Sequence, residues 1–557
     1  MPSSFRFGTA APALLPLSLL LLSAAGRAQW PNPQVPPQNP ITAPKTVLGK
    51  ILFWEEQLSS DDSMACGTCH VPEFGGGEPR TLGTLHPGLD GSYGTADDIH
   101  GSPGLVRQSA AGDFTHDATF ALARQVTRRQ SPTNLGAAFH IDLFWDGRAG
   151  GTFIDPETNQ VALSYAGALE NQAIGPILSD VEMGHVGRSW QDVRAKLQRV
   201  RPLALATGLT PDIRQALQQH VDYPGLFAAA FGDPAITAVR IAFAIATYQR
   251  TLIPDQTPWD RFMNGQTSAL TSNQQQGWAL FTGSARCALC HLDPLFSDDM
   301  FHNLGLRPKA EDGGLGAVIH VPSEDGSFKT PTLRNSGLRQ RLFHNGQSAA
   351  LLDPSQVTDP ASVLNVYLNG GGVDRSNLDP FMTVLSQYNV TPADLLQVFD
   401  FVANGLTDPR AAAGLPPFDH PQLRSMTVPA PVMFGRGHAG SAAEPFLIDT
   451  VPPWPGNASY RLGLAGGDGG GIAALGFGLQ PIVPTLMAGL PWNVFVTDFQ
   501  LFLLSGPAGA PGVATWHLPV PNDPLLTGLP LYFQLFAQDA TAAGGVAASK
   551  GWEFVVR

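Results

Sequence analysis

CGTCH, at residues 66–70, is the stretch around which the chain is expected to fold, and CALCH at residues 287–291 repeats its pattern. Two thiols spaced in this way can each add to one of the two vinyl groups of a porphyrin, and the histidine that follows then lies beneath the iron. The sequence therefore predicts two covalently bound haem c groups. The predicted attachment residues are Cys66, Cys69, Cys287 and Cys290, and the predicted proximal iron ligands are His70 and His291.

Two other interpretations of the motifs are available. The four cysteines could form two disulfide bonds, but that pairing gives no role to the histidine that ends each motif. The cysteines and the two histidines could also bind zinc, because structural zinc sites use these ligands. The motif is repeated in full and no cysteine is left over, which favours haem attachment.

At 557 residues the chain is long enough for three or four domains, and so for a core around each haem. Its formal net charge of −13 gives no support to a nucleic-acid partner. An acidic surface would suit a basic redox partner. The 60 glycines and 49 prolines fall below the share expected of a disordered chain, so they indicate a globular protein rich in loops.

Residues 1–28 have the pattern of a secretory signal peptide. Arg6 precedes an apolar run over residues 14–22, and small residues follow up to a cleavage site expected after Ala28. The apolar run is shorter than the ~20 residues of a spanning helix, and prolines interrupt the later apolar segment at 471–490. We therefore expect no membrane span and a periplasmic or secreted protein, which agrees with haem c attachment outside the cytoplasm.

Further motifs follow each haem motif in a fixed order. They are FWDGR at 144–148, Gly175-Pro176 ahead of Val181-Glu182-Met183, PWDRF at 258–262, FHN at 301–303, FKTPTLRN at 328–335 and FHNG at 343–346. This order, over about residues 45–410, resembles the bacterial dihaem cytochrome c peroxidase family, which includes the dihaem enzyme that matures methylamine dehydrogenase.

The resemblance implies a mainly α fold with one haem in each of two c-type cytochrome domains. We assign the first, peroxidatic domain to residues 47–235 and the second, electron-transfer domain to residues 236–415, after a proline-rich lead-in at 29–46. Residues 75–111 are rich in Gly, Asp, Pro and Ser, which predicts a long surface insertion. Apolar residues at helical spacing over 241–252 predict a helix packed between the two domains.

Residues 426–557 differ in character from the rest of the chain. Short runs of β-branched and aromatic residues alternate there with Gly, Pro and Asp, which predicts a C-terminal antiparallel β-sandwich-like domain. The segment contains no cysteine. We therefore expect an accessory module for adhesion, docking or stability rather than a catalytic domain.

The resemblance also implies the chemistry of the first haem. In the family a glutamine precedes the distal glutamate by ten residues, and Gln172 and Glu182 have this spacing. Glu182 is expected to move the peroxide proton as acid and base, with Gln172 as a hydrogen-bonding partner; the alternative for Glu182 is an exposed loop carboxylate. Trp145 is implied as an electron relay between the haems, the alternative being core packing. Arg148 is expected to pair with a haem propionate.

A distal histidine holds the resting first haem in typical peroxidases of the family. The equivalent position here is Leu122, and neither His116 nor His140 fits the pattern. The first haem is therefore expected to be open without a reductive activation step.

The sixth ligand of the second haem is implied to be Tyr367, a position at which the methylamine dehydrogenase maturation enzyme also has tyrosine. Met300 and Met382 are the alternative ligands, although methionine often serves only as core packing. An anionic oxygen ligand would lower the haem potential, whereas methionine would raise it.

The family carries a calcium ion between its haem domains. The equivalent ligands here are the side chain of Gln130 and the backbone carbonyls of Arg339 and Arg341. Glutamine offers a suitable hard oxygen, but the two arginines add positive charge nearby. The sequence allows one calcium ion without requiring it.

These expectations lead to one principal function and two alternatives. The principal one is an exported dihaem peroxidase (EC 1.11.1.5-like) that reduces hydrogen peroxide to water with electrons from a small donor such as a cytochrome c or cupredoxin. The first alternative is a peroxide-dependent dihaem oxidase that acts on a protein or small molecule. The second is a non-catalytic dihaem electron-transfer cytochrome. The sequence leaves the oligomeric state open, with a homodimer as one option.

Overall fold

The structure is a computed structural model that describes residues 30–81, 83, 85–385, 390–427, 430–440, 444–507 and 510–557. The predicted signal peptide at residues 1–28 lies outside the described part of the chain. Within that part, no helix combines the length and the apolar character needed to cross a lipid bilayer.

Short α-helices joined by long loops form the part of the chain that carries the haem motifs. They are α1 Ala43–Phe53, α2 Cys66–Cys69, α3 Ala168–Leu178, α4 Trp190–Leu197, α5 Pro211–Gln219, α6 Tyr223–Phe231, α7 Ala238–Gln249, α8 Pro258–Met263, α9 Ser272–Thr282, α10 Gly314–Ile319, α11 Ser355–Thr358, α12 Val363–Leu368, α13 Pro380–Leu385, α14 Pro392–Asp400, α15 Pro409–Ala412 and α16 Arg424–Thr427. Helices make up 29% of the structure, a smaller share than the expected mainly α fold implies, because Gly and Pro keep the connecting segments irregular.

The strands fall into short ribbons near the haem motifs and a longer C-terminal set. The ribbons are β1 Pro103–Val106, β2 Arg124–Val126, β3 Phe153–Ile154, β4 Val161–Leu163, β5 Phe301–His302, β6 Phe328–Lys329, β7 Arg341–Leu342 and β8 Ser348–Ala349. The C-terminal strands are β9 Val432–Phe434, β10 Phe446–Ile448, β11 Arg461–Asp468, β12 Ile472–Gly478, β13 Pro481–Met487, β14 Leu490–Val494, β15 Asp498–Leu503, β16 Pro511–His517, β17 Pro530–Gln538, β18 Val546–Ala548 and β19 Gly551–Val555.

The first hydrophobic core is built where α1 crosses α7. A Cβ atom at Gly49 would lie 1.9 Å from the carbonyl oxygen of Ala244, so this close approach requires glycine. Ile241, Ile245 and Tyr248 of α7 point into the core. The sequence predicted that this helix packs between the two domains; its contacts instead place it within the first core. The expected boundary at residue 235 would separate it from those partners.

The second core is aromatic and surrounds the second haem motif. Trp259, Phe281, Phe296 and Phe401 pack against one another at centroid distances of 4.9 to 6.2 Å. They come from α8, α9, a loop and the π-helical segment Phe401–Gly405 that continues α14. Edge-to-face and tilted rings fill such a core well, and the buried indole N–H of Trp259 has no hydrogen-bond partner among the described residues.

The predicted surface insertion is only partly at the surface. Residues 101–106 are buried, because β1 pairs with β2 and Leu105 donates a backbone hydrogen bond to Val181 O at 3.0 Å. A Cβ atom at Gly104 would lie 1.9 Å from the same carbonyl oxygen. The longest exposed stretch of the insertion is residues 89–96. We call residues 103–126 the hairpin segment.

The C-terminal strands form two antiparallel sheets that share one hydrophobic core, and a separate two-stranded ribbon of β13 and β14. One sheet has the order β10-β11-β16, and the other has the order β15-β12-β17-β19-β9 with β18 also on β17. Leu462 and Leu464 of the first sheet cluster with Leu475, Leu535 and others of the second. We call the described residues of 432–557 the β unit.

The β unit packs against the hairpin segment. Phe114 and Leu122 are buried with Ile448, Ala465 and Val513 in a separate small cluster. Thr515 Oγ1 accepts a hydrogen bond of 2.8 Å from the backbone N–H of Phe114. The hairpin segment therefore lies between the β unit and the turn that contains Val181.

Candidate functional site

The first haem motif begins a short helix at the edge of the first core. Thr68 Oγ1 accepts a 2.9 Å hydrogen bond from the backbone N–H of Ala65, which fixes the first turn of α2. Cys66 and Cys69 pack against the first core. His70 Nδ1 lies 3.1 Å from Gly76 O, and burial lowers the pKa of His70, which favours the neutral imidazole that binds metals.

The second haem motif repeats this arrangement in the second core. Cys287–Leu289 forms a 3₁₀ turn after α9. His291 Nδ1 lies 3.0 Å from Phe296 O, and burial lowers the pKa of His291. A metal-binding histidine usually has its other ring nitrogen held in this way, which fixes the orientation of the ring.

Each motif borders a cavity whose size suits a cofactor. The cavity of the first motif, bordered by Cys69 and His70, has a volume of about 540 Å³. The cavity of the second motif, bordered by Cys287, Cys290 and His291, has a volume of about 470 Å³. Both volumes lie in the ~300–1,000 Å³ range of small-molecule and cofactor sites. The residues present therefore fit two haem c groups.

Glu182, Gln172 and Arg148 all border the first cavity. Burial raises the pKa of the Glu182 carboxyl, while a hydrogen bond to Ser179 and the positive charge of Arg148 oppose the shift. Arg148 is about half exposed and donates to both oxygens of Asp146, at 2.9 and 3.0 Å. The structure thus brings together the three side chains that the sequence predicted for this site.

Trp145 borders both cavities. Its indole Nε1 donates a 2.8 Å hydrogen bond to Gln130 O, and its own carbonyl accepts from the backbone N–H of Lys329 at 2.8 Å. Only 9% of the side chain is exposed. The ring is therefore fixed where the two cavities adjoin.

Tyr367 on α12 borders the second cavity, and so does Met382. Burial raises the pKa of the Tyr367 phenol well above its ordinary value. Met300 is 60% exposed and does not border the cavity. Of the three ligands considered from the sequence, Tyr367 and Met382 border this cavity and Met300 does not.

Leu122 and His116 do not border the first cavity. Leu122 is buried in the small cluster between the hairpin segment and the β unit, and His116 is exposed. His140 borders the second cavity, and its Nδ1 lies 2.7 Å from Asp299 Oδ1. Lys329 also pairs with Asp299, so His140 belongs to a polar network.

His302 belongs to the FHN motif, and no separate role was predicted for its side chain from the sequence. In the structure it has two acidic partners beside the second haem motif. Its ring nitrogens lie 2.8 Å from Asp298 Oδ2 and 2.7 Å from Asp379 Oδ2. The hydrogen bond that His302 donates to Asp298 is the main cause that raises the pKa of His302 to about 11. Ligand atoms of Cys290, Asp298 and His302 lie within 4.8 Å of one another, but the predicted haem attachment would use the Cys290 sulfur, so we assign no further metal there.

Gln130 lies at the junction of the two haem-binding parts. Its backbone N–H donates to His344 O at 2.7 Å, and it is 2% exposed. Its side-chain Oε1 accepts a 2.9 Å hydrogen bond from Arg339 Nη2, which also donates to Ser131 O at 2.7 Å. The sequence did not predict this contact, since it named the carbonyl of Arg339 and not its side chain.

Comparison with known proteins gives consistent matches. Residues 43–268 match the family model of di-haem cytochrome c peroxidase. The chain is 30% identical over 353 residues to methylamine utilization protein MauG of Methylorubrum extorquens, covering 62% of this chain and 76% of that protein. It is 28% identical over 376 residues to MauG of Methylophilus methylotrophus, covering 66% and 85%. It is 28% identical over 381 residues to cytochrome-c peroxidase IdrP1 of a Pseudomonas species, covering 63% and 78%.

Proposed function

Because the chain belongs to the di-haem cytochrome c peroxidase family, we propose that it reduces hydrogen peroxide at the first cavity with electrons that enter through the second haem. It is a cytochrome c peroxidase-like oxidoreductase with haem c cofactors. The observation that carries the site assignment is the presence of Glu182, Gln172 and His70 around one cavity that shares Trp145 with the other.

The haems, when bound, supply redox-active iron, with a coordination position for peroxide at the first site. Two electrons and two protons convert one hydrogen peroxide molecule into two water molecules. The side chains around the cavity have to hold and deliver those protons.

Glu182 is the group we assign to proton transfer. Its raised pKa brings the carboxyl closer to the pH at which it can both accept and return a proton. Gln172, from α3, is assigned to hydrogen-bond peroxide because its amide borders the same cavity. Arg148 is assigned to a haem propionate through its guanidinium group.

Trp145 is assigned as the relay between the haems. Its indole is held by Gln130 O and borders both cavities, so an electron that passes between the sites meets this ring.

The β unit, the export signal and the donor complete the proposal. We propose that the β unit is a β-sandwich-like accessory domain, because its two sheets share one core. We propose a periplasmic location. We also propose a small cytochrome c or cupredoxin as the electron donor, because the net charge of −13 of this protein would attract a donor that has basic residues on its surface.

A second candidate function is a peroxide-dependent oxidase. Tyr367 at the second cavity favours it, because an anionic oxygen ligand would stabilise oxidised iron and disfavour electron entry from a high-potential donor. A purely electron-transferring cytochrome is disfavoured by Glu182 and Gln172, which a carrier does not need.

The test is a peroxide titration of the haem-loaded protein. Electron paramagnetic resonance of the resting ferric protein should show two distinct haems. When peroxide and a reduced small cytochrome are then added, each peroxide molecule should take two electrons from the cytochrome. If peroxide oxidises the haems but no donor protein restores them, while an organic substrate does, the oxidase function replaces the peroxidase function.

A further inference from the structure

Arg339 reaches from the second haem-binding part into the first. Its guanidinium Nη2 donates to Gln130 Oε1 and Ser131 O, 209 and 208 residues earlier in the chain. Its Nη1 lies against the glycines that follow the first haem motif, because a Cβ atom at Gly77 would come within 2.7 Å of it. One side chain therefore joins the two parts.

The two oxygens that accept from Arg339 are of the kind that a calcium ion prefers. A side-chain amide oxygen and a backbone carbonyl oxygen are both common calcium ligands. Gln130 Oε1 is the very atom that the resemblance implies for the ion. In the structure its acceptor position is taken by a guanidinium hydrogen bond.

The positive charge of Arg339 also disfavours a calcium ion beside Gln130. Burial lowers the pKa of Arg339 to about 10, so the group stays protonated at neutral pH. Among the described residues no carboxylate pairs with Arg339, whereas calcium sites usually include Asp or Glu. The ligand set that the resemblance implies is also without a carboxylate, so the deciding difference is the guanidinium: a divalent cation at Gln130 Oε1 would face the uncompensated positive charge of Arg339. The residues present therefore do not fit calcium.

We infer that the Arg339 guanidinium replaces the inter-domain calcium ion, so that the chain carries its own cation at this junction. The group then acts as a positioning residue for the relay ring, because Gln130, which it holds through the side chain, accepts the indole hydrogen bond of Trp145 through its carbonyl. This inference does not depend on which substrate the protein oxidises.

The experiment uses the haem-loaded protein and calcium chloride as the probe. Wild type should contain no stoichiometric calcium by elemental analysis after extensive dialysis, and a calorimetric titration to millimolar calcium should show no binding at one site per chain. A chelator such as EGTA should leave its paramagnetic resonance spectrum unchanged. One bound calcium per chain, or a spectrum that changes on chelation, would overturn the inference.

Arg339→Ala tests the bridge directly. This variant should lower the thermal midpoint and change the haem resonances, and millimolar guanidinium ion should restore at least half of the spectral change. Arg199→Ala is the matched control: this exposed arginine also donates to a backbone carbonyl, Ala195 O, but lies away from both cavities. If Arg339→Ala matches the control, the assignment fails. Should Arg339→Ala not fold, the calcium measurements on wild type decide alone.

Discussion

Glu182 is the residue whose replacement should affect catalysis most. General acid–base groups contribute about 10²- to 10⁴-fold to rate, and Glu182 borders the first cavity with a raised pKa. Glu182→Gln should therefore lower peroxide turnover by about that factor while haem content stays the same. Asp180→Asn is the control, because this carboxylate pairs with Arg107 instead. Equal turnover in the Glu182 variant and wild type would contradict the role.

Tyr367 should determine the spectrum of the second haem. Tyr367→Phe removes the phenol oxygen at the second cavity without changing the ring, so the low-spin ferric spectrum should change. Met382→Leu is the matched test of the other side chain at this cavity. If only Met382→Leu alters the spectrum, the ligand is the thioether, and electron entry from a high-potential donor is favoured.

The residues of the site were predictable where a local motif carried them. A spacing or a neighbouring motif marks each of these residues. The structure brings to the two cavities Cys69, Cys287, Cys290, Gln172, Glu182, Trp145 and Tyr367, while Cys66 packs against the first core. The Arg339–Gln130 contact joins residues 209 positions apart, and no local pattern records which way a long side chain turns.

At the scale of elements, the hairpin segment depends on the β unit for its burial. Phe114 is 2% exposed within the cluster shared with the β unit. Phe114→Ala should lower the free energy of unfolding by about 3–5 kcal/mol, the usual cost of a buried Phe→Ala change. Phe499→Ala on β15, where the ring is 41% exposed, should cost much less. Urea unfolding of both variants checks the difference, and equal losses would contradict the packing.

Glu56 makes the junction with α16 sensitive to pH. Both of its carboxyl oxygens accept 2.8 Å hydrogen bonds, from the backbone N–H groups of Arg424 and Ser425, and burial raises its pKa to about 7. The pKa of Glu56 is higher in the folded state than in the unfolded state. The protonated Glu56 carboxyl therefore contributes its full stabilisation below about pH 4.3, and this stabilisation is lost as the pH rises through about 7.

The change in free energy from Glu56 should be about 4 kcal/mol, at about 1.4 kcal/mol per pKa unit. Glu56→Gln removes the titration, so its stability relative to wild type should rise between pH 5 and pH 8. Thermal unfolding of both proteins across this range measures the effect. A constant difference would show that Glu56 stays ionised throughout.

The elements were harder to predict from the sequence than the site. Residues 75–111 are rich in Gly, Asp, Pro and Ser, which predicted a surface loop, but tertiary contacts with Val181 bury residues 101–106. The apolar periodicity of α7 was correctly identified, yet periodicity does not say which core a helix faces.

For the whole molecule, two haem c groups per chain are expected. Mass spectrometry of the intact protein, expressed with export and haem attachment, should show two haem additions. Cys287→Ser with Cys290→Ser should leave one, because the first motif has its own core and cavity. A single addition in wild type would contradict the arrangement.

The order of the large parts followed from sequence, since the haem motifs and the shift to β-rich composition are separated along the chain. The contact between the β unit and the hairpin segment did not, because it brings Phe114 against residues more than 330 positions later. Such contacts depend on the folded surfaces of both parts.

The placement of the sulfur atoms has a consequence for durability. All four cysteines of the sequence belong to the two motifs at the haem cavities. Once each is a thioether, no thiolate remains to be converted to sulfenic or sulfinic acid, the damage that peroxide causes to ordinary cysteines. The mature protein should therefore tolerate repeated exposure to the oxidant it consumes without thiol inactivation.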